Sequence, residues 1–132
     1  MTETLKLQIP IYRETLHVFF GSIEDCQAAL IKDGISEEDA LAWSASKTLK
    51  GSYRYYTDKE YCLLWLPGMP ESVAEFGALV HEILHFVFHL MSLRGLELNG
   101  GSEEAYTYLT EFVYCELLTY ITSQEECQET DR

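Results

Sequence analysis

Between Ser72 and Gly95 the chain carries one long helical segment, and the rest of the fold has to accommodate it. Ser72-Val-Ala-Glu75 is a capping box, in which the serine hydroxyl accepts from the backbone and the glutamate reaches back. Gly95 supplies the stop after Arg94. In between, apolar residues occur almost all round the helix, the pattern of a segment buried in its domain or embedded in a membrane. A membrane span needs about 20 apolar residues. The longest apolar candidate, Leu79 to Leu93, is interrupted by His81, Glu82, His85 and His89. The segment therefore reads as a central core helix, with no membrane partner.

The flanking segments read as a small sheet with helices. Leu5, Leu7 and Ile9 alternate like a half-buried strand, and Leu16-His-Val-Phe-Phe20 follows a bend at Pro10 and Arg13-Glu14. Ser22 opens a helix that Gly34 closes, and Ser36 opens a short one through about Lys47. The runs Gly51 to Tyr56 and Tyr61 to Leu66 flank a polar turn and read as a β-hairpin. Ser102 caps a last helix to about Thr122, and Ser123 onward reads as a polar, frayed tail. The expected class is α+β: a small sheet packed on the central helix, with the C-terminal helix beside it. At 132 residues the expectation is a single domain over 1–122 and a tail over 123–132.

Charge excludes one class of partner. With 22 acidic against 9 basic side chains and a net charge of −13, the chain lacks the basic footprint of a nucleic-acid binder. An acidic surface serves solubility, or meets a basic partner. No basic region followed by an apolar run opens the chain, so the expected location is the cytoplasm. Cys26, Cys62, Cys115 and Cys127 form no C-x-x-C pair and read as small buried hydrophobes, with Cys127 exposed in the tail.

The chemistry lies in His81-Glu82-Ile83-Leu84-His85, which is H-E-x-x-H on a helix. Residues four apart share a face, so two imidazoles can hold one ion. Glu82 follows the first ligand and is placed to take a proton from water activated by the metal. Two core histidines and a paired glutamate would give the same letters without a metal. Burial cost favours the metal, because three ionisable groups in an apolar helix need compensation.

A catalytic zinc takes three protein ligands. His89 begins about 12 Å along the helix axis from His81, too far to share an ion comfortably. Glu103 and Glu104, opening the last helix, are the better sources, since the Gly100-Gly101 loop lets the chain turn back. Either carboxylate serves the helix dipole equally well. Tyr108, Tyr106, Tyr55 and Tyr56 are options for a phenol donor to an oxyanion.

The combination His81-Glu82-x-x-His85, a spacer near twenty residues, then Glu104-Ala105-x-Thr107, resembles the gluzincin group of zincin metallopeptidases. The short chain and the run Glu104-x-x-Thr107-Tyr108-Leu109 resemble the minimal zincin-like proteins of phages and prophages. The likeness covers Tyr61 to Leu118. It implies Zn²⁺ held by His81, His85 and Glu104, Glu82 as general base, and a peptide or protein substrate. It also implies that Tyr61 to Leu66 is an edge strand with one side open to extended substrate. Thermolysin-like members carry Asn-Glu-x-x-Ser-Asp, whereas here Glu103 precedes Glu104 and Tyr108 replaces the aspartate. Within the last helix, Ala105, Leu109 and Phe112 are expected to share a buried stripe with Glu104 at its margin.

The resulting expectation is a zinc-dependent peptidase or amide hydrolase. Its rivals are a catalytically inactive zincin-like binding protein, such as a phage-type inhibitor or adaptor of a host factor, and an acidic interaction protein without metal.

Overall fold

A computed structural model describes residues 4–43 and 50–130. Four strands, β1 (Leu5–Ile9), β2 (Glu14–Phe20), β3 (Ser52–Tyr56) and β4 (Tyr61–Leu66), form one sheet in the order β1-β2-β4-β3. Helices α1 (Ile23–Lys32) and α2 (Glu37–Leu41) lie in the β2-to-β4 crossover, and α3 (Val73–Leu93) and α4 (Glu103–Thr130) complete the chain. The fold is thus a small α+β arrangement in which one helix carries the His-Glu-x-x-His turn. Two compact units divide it, Met1–Glu82 and Ile83–Arg132.

In the first unit, β1 and β2 are antiparallel, β2 and β4 parallel, and β3 and β4 antiparallel. A parallel pair needs a long crossover, which α1 and α2 supply. All six residues of β4 are buried, as its unbroken apolar run demands of a strand covered on both faces. Tyr61, Leu63 and Trp65 join Phe19 in a core with Cys26, Ala29 and Leu30 of α1, Ala40 of α2, Ile35 and Trp43. β4 is also paired on both edges, by β2 and β3. The open edge expected of Tyr61–Leu66 is therefore absent, and β3 is the terminal strand on that side.

The helix signals at Ser22 and Ser36 hold: each hydroxyl accepts from the backbone N–H three residues on, at 3.1 Å. The second helix stops at Leu41, and the expected continuation toward Lys47 runs outside the described residues. A polar cluster ties β1 and α1 to β4. Asp33 Oδ2 accepts from Thr4 Oγ1 at 3.0 Å and from the Tyr61 hydroxyl at 2.7 Å. His17 stacks flat on Tyr61, ring centroids 3.7 Å apart, with Nδ1 3.2 Å from Thr4 Oγ1. Burial pulls His17 down to about 4, against the opposing pull of Asp33. At neutral pH its 3.7 Å approach to Asp33 is therefore a contact of a neutral ring and not an ion pair.

In the second unit, α3 ends in a Schellman motif. Gly95 sits at φ 75°, its N–H bonds Ser92 O, and the Leu96 N–H bonds Met91 O. The Tyr106 hydroxyl donates to Leu96 O at 2.6 Å, and its ring meets Phe88 at 5.6 Å, clasping the start of α4 to the end of α3. The buried stripe of α4 is Tyr106, Leu109, Val113, Leu117 and Ile121. Leu109 belongs to it as expected, whereas Ala105 and Phe112 lie at its half-buried flanks. The helix also continues through Thr130 instead of fraying after Thr122, since Gln124-Glu-Glu-Cys-Gln-Glu129 contains no glycine or proline to stop it. Among the described residues no disulfide forms: Cys26 and Cys62 are buried, Cys115 is exposed against expectation, and the side chain of Cys127 lies outside the described residues.

Candidate metal centre

The capping box that opens α3 forms in both directions. Ser72 Oγ accepts from the Glu75 N–H at 3.2 Å, and Glu75 Oε1 accepts from the N–H groups of Glu71 and Ser72 at 3.0 Å each. Those bonds hold the Glu75 carboxyl below its ordinary range. From that start α3 runs 21 residues, long and apolar enough by length and composition to cross a membrane, at a mean hydropathy of 1.4. Only 39% of that window is buried.

The helix is not buried all round. Leu79, Ile83, Phe86, Val87, Leu90 and Met91 form one buried stripe, recurring at spacings of three and four. His81, Leu84, His85 and Phe88 are exposed. The burial-cost argument for a metal thus holds for Glu82 alone, which is 7% exposed.

The metal-ligating atoms of His81, Glu82 and His85 all lie within 4.8 Å of one another. One helical turn is enough to do this, because residues four apart stack on a face. Two imidazole nitrogens and a carboxylate oxygen suit a first-row divalent ion and do not choose among them. Glu104, in the first turn of α4, is exposed like its neighbour Glu103 and is not a member of this group. His89 is half-buried and also outside it. Of the tyrosines considered, Tyr106 gives its proton to Leu96 O, Tyr108 is 66% exposed, and Tyr56 has a buried hydroxyl beside the Trp43 indole.

Two residues that the motif does not announce shape the site. A Cβ on Gly51 would lie 3.1 Å from Glu82 Cγ and 3.2 Å from the Trp65 carbonyl oxygen. The bare glycine lets the Glu82 side chain pass against the backbone at the β3–β4 end of the sheet. Beside it is a cavity of about 420 Å³, lined by Gly77, Ala78, His81 and Glu82 of α3 together with Lys50 and Gly51. The sequence signal was a glycine opening an aromatic strand, which often marks a close approach of another segment.

Compared with family models, curated proteins and solved structures, the chain has no match. What it shares with zincins is the one turn His81-Glu82-x-x-His85, whose three side chains lie close enough together to be compatible with a metal site of that type.

Proposed function

We propose that the protein is a zinc-dependent peptidase or amide hydrolase. The observation that carries this reading is the convergence of His81, Glu82 and His85 within 4.8 Å beside an open cavity. A divalent ion held there would supply Lewis-acid polarisation of a carbonyl and acidify water near neutral pH. Neutral His81 and His85 would bind it through ring nitrogens, and the resemblance assigns a third bond to Glu104. Glu82 is the proton carrier: it takes a proton from the attacking water and returns it to the amine as the C–N bond breaks. Its burial against Gly51 restrains its rotamers, which favours a fixed position for that transfer.

The substrate in this reading is an extended peptide lying along β3. That strand closes the sheet on its side, and Gly51 at its start touches Glu82, so a peptide pairing with it would pass the cavity. The test is hydrolysis of a mixed peptide library, read by mass spectrometry, with zinc-loaded wild type and Glu82→Gln. Cleavage by wild type alone supports the reading. Equal cleavage by both, or none by either, overturns it.

A further inference from the structure

Gly77 stands in α3 where helix formation does not ask for it. Its backbone is ordinary helix, with no positive φ, and glycine there weakens a helix relative to alanine. No neighbour asks for it either, since a Cβ at Gly77 would meet no atom within 4 Å. The space that the missing side chain leaves belongs to the cavity of about 420 Å³ beside Glu82. Ala74, Gly77, Ala78 and His81 recur at spacings of three and four and so form one wall of it. Before His81, no side chain in that wall extends beyond a methyl group. A cavity of this volume falls within the range of small-ligand sites, roughly 300–1,000 Å³.

The cavity also has a charge. Among the described residues, Lys50 is the one lysine or arginine that lines it, is exposed, and makes no ion pair. Its side chain starts one residue from Gly51, where a Cβ would lie 3.1 Å from Glu82 Cγ. An ammonium repels a divalent ion, so a site tuned for metal alone has no use for it. It is also unusual company in a chain with 22 acidic and 9 basic side chains. Lysine carries three donors and no acceptor, and the anions that a peptide can offer it are carboxylates. Glu82, the carboxylate in the lining, is 7% exposed and packed against Gly51, and so shows an incoming anion little of its charge. We propose that the cavity is a subsite for a carboxylate of the peptide ligand, held by the Lys50 ammonium, with the bare Ala74–Gly77–Ala78 wall leaving room for the chain that carries it. Lys50 is then a specificity-determining residue. The net charge of −13 opposes anions at long range, so the preference is a contact effect, acting within a screening length of about 8 Å at physiological salt.

This rests on the peptide substrate of the peptidase reading, and its test separates the two. Acetylated tetra-alanine is prepared as free acid and as amide, and the amide also with Glu, or its twin Gln, at each position in turn. Binding to Glu82→Gln protein, zinc-loaded and metal-free, is measured by isothermal titration calorimetry. The same peptides are offered to zinc-loaded wild type for cleavage. The expected result is binding about tenfold tighter for one carboxylate form than for its uncharged twin, with and without zinc. Preference for the free acid identifies a C-terminal carboxylate, and preference for Glu an acidic side chain. Lys50→Gln should abolish the preference and Lys50→Arg should keep it. Gly77→Leu should weaken binding of every peptide at least tenfold while melting no lower than its parent, because leucine is the better helix former. A preference untouched by Lys50→Gln, or one that vanishes with the metal, would place the carboxylate on the ion and overturns the proposal. So do equal binding of all twins, no binding of any peptide, and binding unchanged by Gly77→Leu. Preference without cleavage keeps the proposal and removes the peptidase reading; cleavage without preference does the reverse.

Discussion

Gly51 and Glu82 meet where the β3–β4 end of the sheet touches α3, at a separation that leaves no room for a methyl group. A Cβ at residue 51 would sit 3.1 Å from Glu82 Cγ and 3.5 Å from its Oε2, with the Trp65 carbonyl oxygen closing the other side at 3.2 Å. The carbonyl is backbone and holds its place, so the glutamate must yield by a few tenths of an ångström.

Gly51→Ala is therefore expected to displace the Glu82 carboxylate while leaving His81 and His85 in place. Overpacking of this kind costs about 1–3 kcal/mol. The variant should stay folded, bind metal with little change in affinity, and hydrolyse substrate more slowly by a factor of ten or so, since small misplacements of a proton carrier are costly. Thermal melts, metal titration and single-turnover rates check the three parts separately. Loss of metal binding in a folded Gly51→Ala protein would show that Glu82 acts as a ligand.

Removing either imidazole should remove the ion. His81→Ala and His85→Ala are each expected to drop bound zinc below one ion per two chains after dialysis, whereas Glu82→Gln retains it. Stoichiometry by mass spectrometry of the metal reads this directly. Zinc present at 100 times its dissociation constant should stabilise wild type by about 2.7 kcal/mol and leave the histidine variants unmoved. Equal zinc content in all four proteins would mean that the ion binds elsewhere.

Much of this arrangement was legible in the residues, and the parts that were not share a cause. The capping signals at Ser22, Ser36 and Ser72 act over three residues, and each forms as read. The His81–His85 spacing is equally local. The error at β4 is instructive: Tyr-Cys-Leu-Leu-Trp-Leu reports burial of both faces, but strand pairing is made by backbone atoms that leave no trace in side-chain pattern. Hydropathy also overstated the burial of α3, because Leu84 and Phe88 are apolar and yet exposed, at 38% and 47%. The Gly51–Glu82 approach and the Thr4–His17–Asp33 cluster join residues 13 to 31 positions apart, and neither side of such a contact announces the other.

The third ligand is decided by substitution. The resemblance names Glu104, and adjacent helical residues point about 100° apart, so Glu103 and Glu104 cannot serve interchangeably. Glu104→Ala is expected to weaken zinc binding at least tenfold, while Glu103→Ala loses only its small share of the helix-dipole interaction. Competition with a chromophoric chelator measures both. The reverse order, or no effect from either, would leave a His81–Glu82–His85 site without the gluzincin ligand set.

His17 makes the fold sensitive to acid through the cluster around Asp33. With the Thr4 proton given to Asp33, the 3.2 Å contact to Nδ1 has the neutral ring donating to Thr4 Oγ1. Burial lowers the ring to about 4, with Asp33 working to raise it and Lys6 to lower it further. The ordinary histidine value is about 6.5, so between pH 6.5 and 4 the unfolded chain binds a proton that the folded chain refuses. Stability then rises with pH across this window and is complete above it. The loss on going down to pH 4 amounts to at most about 3 kcal/mol, less to the extent that solvent screens the ring. His17→Phe keeps a flat ring against Tyr61 and removes the titration. Urea melts at pH 4.5 and 7.5 should show a smaller difference in the variant than in wild type, and an equal pH dependence in both would place the acid sensitivity in the carboxylates instead.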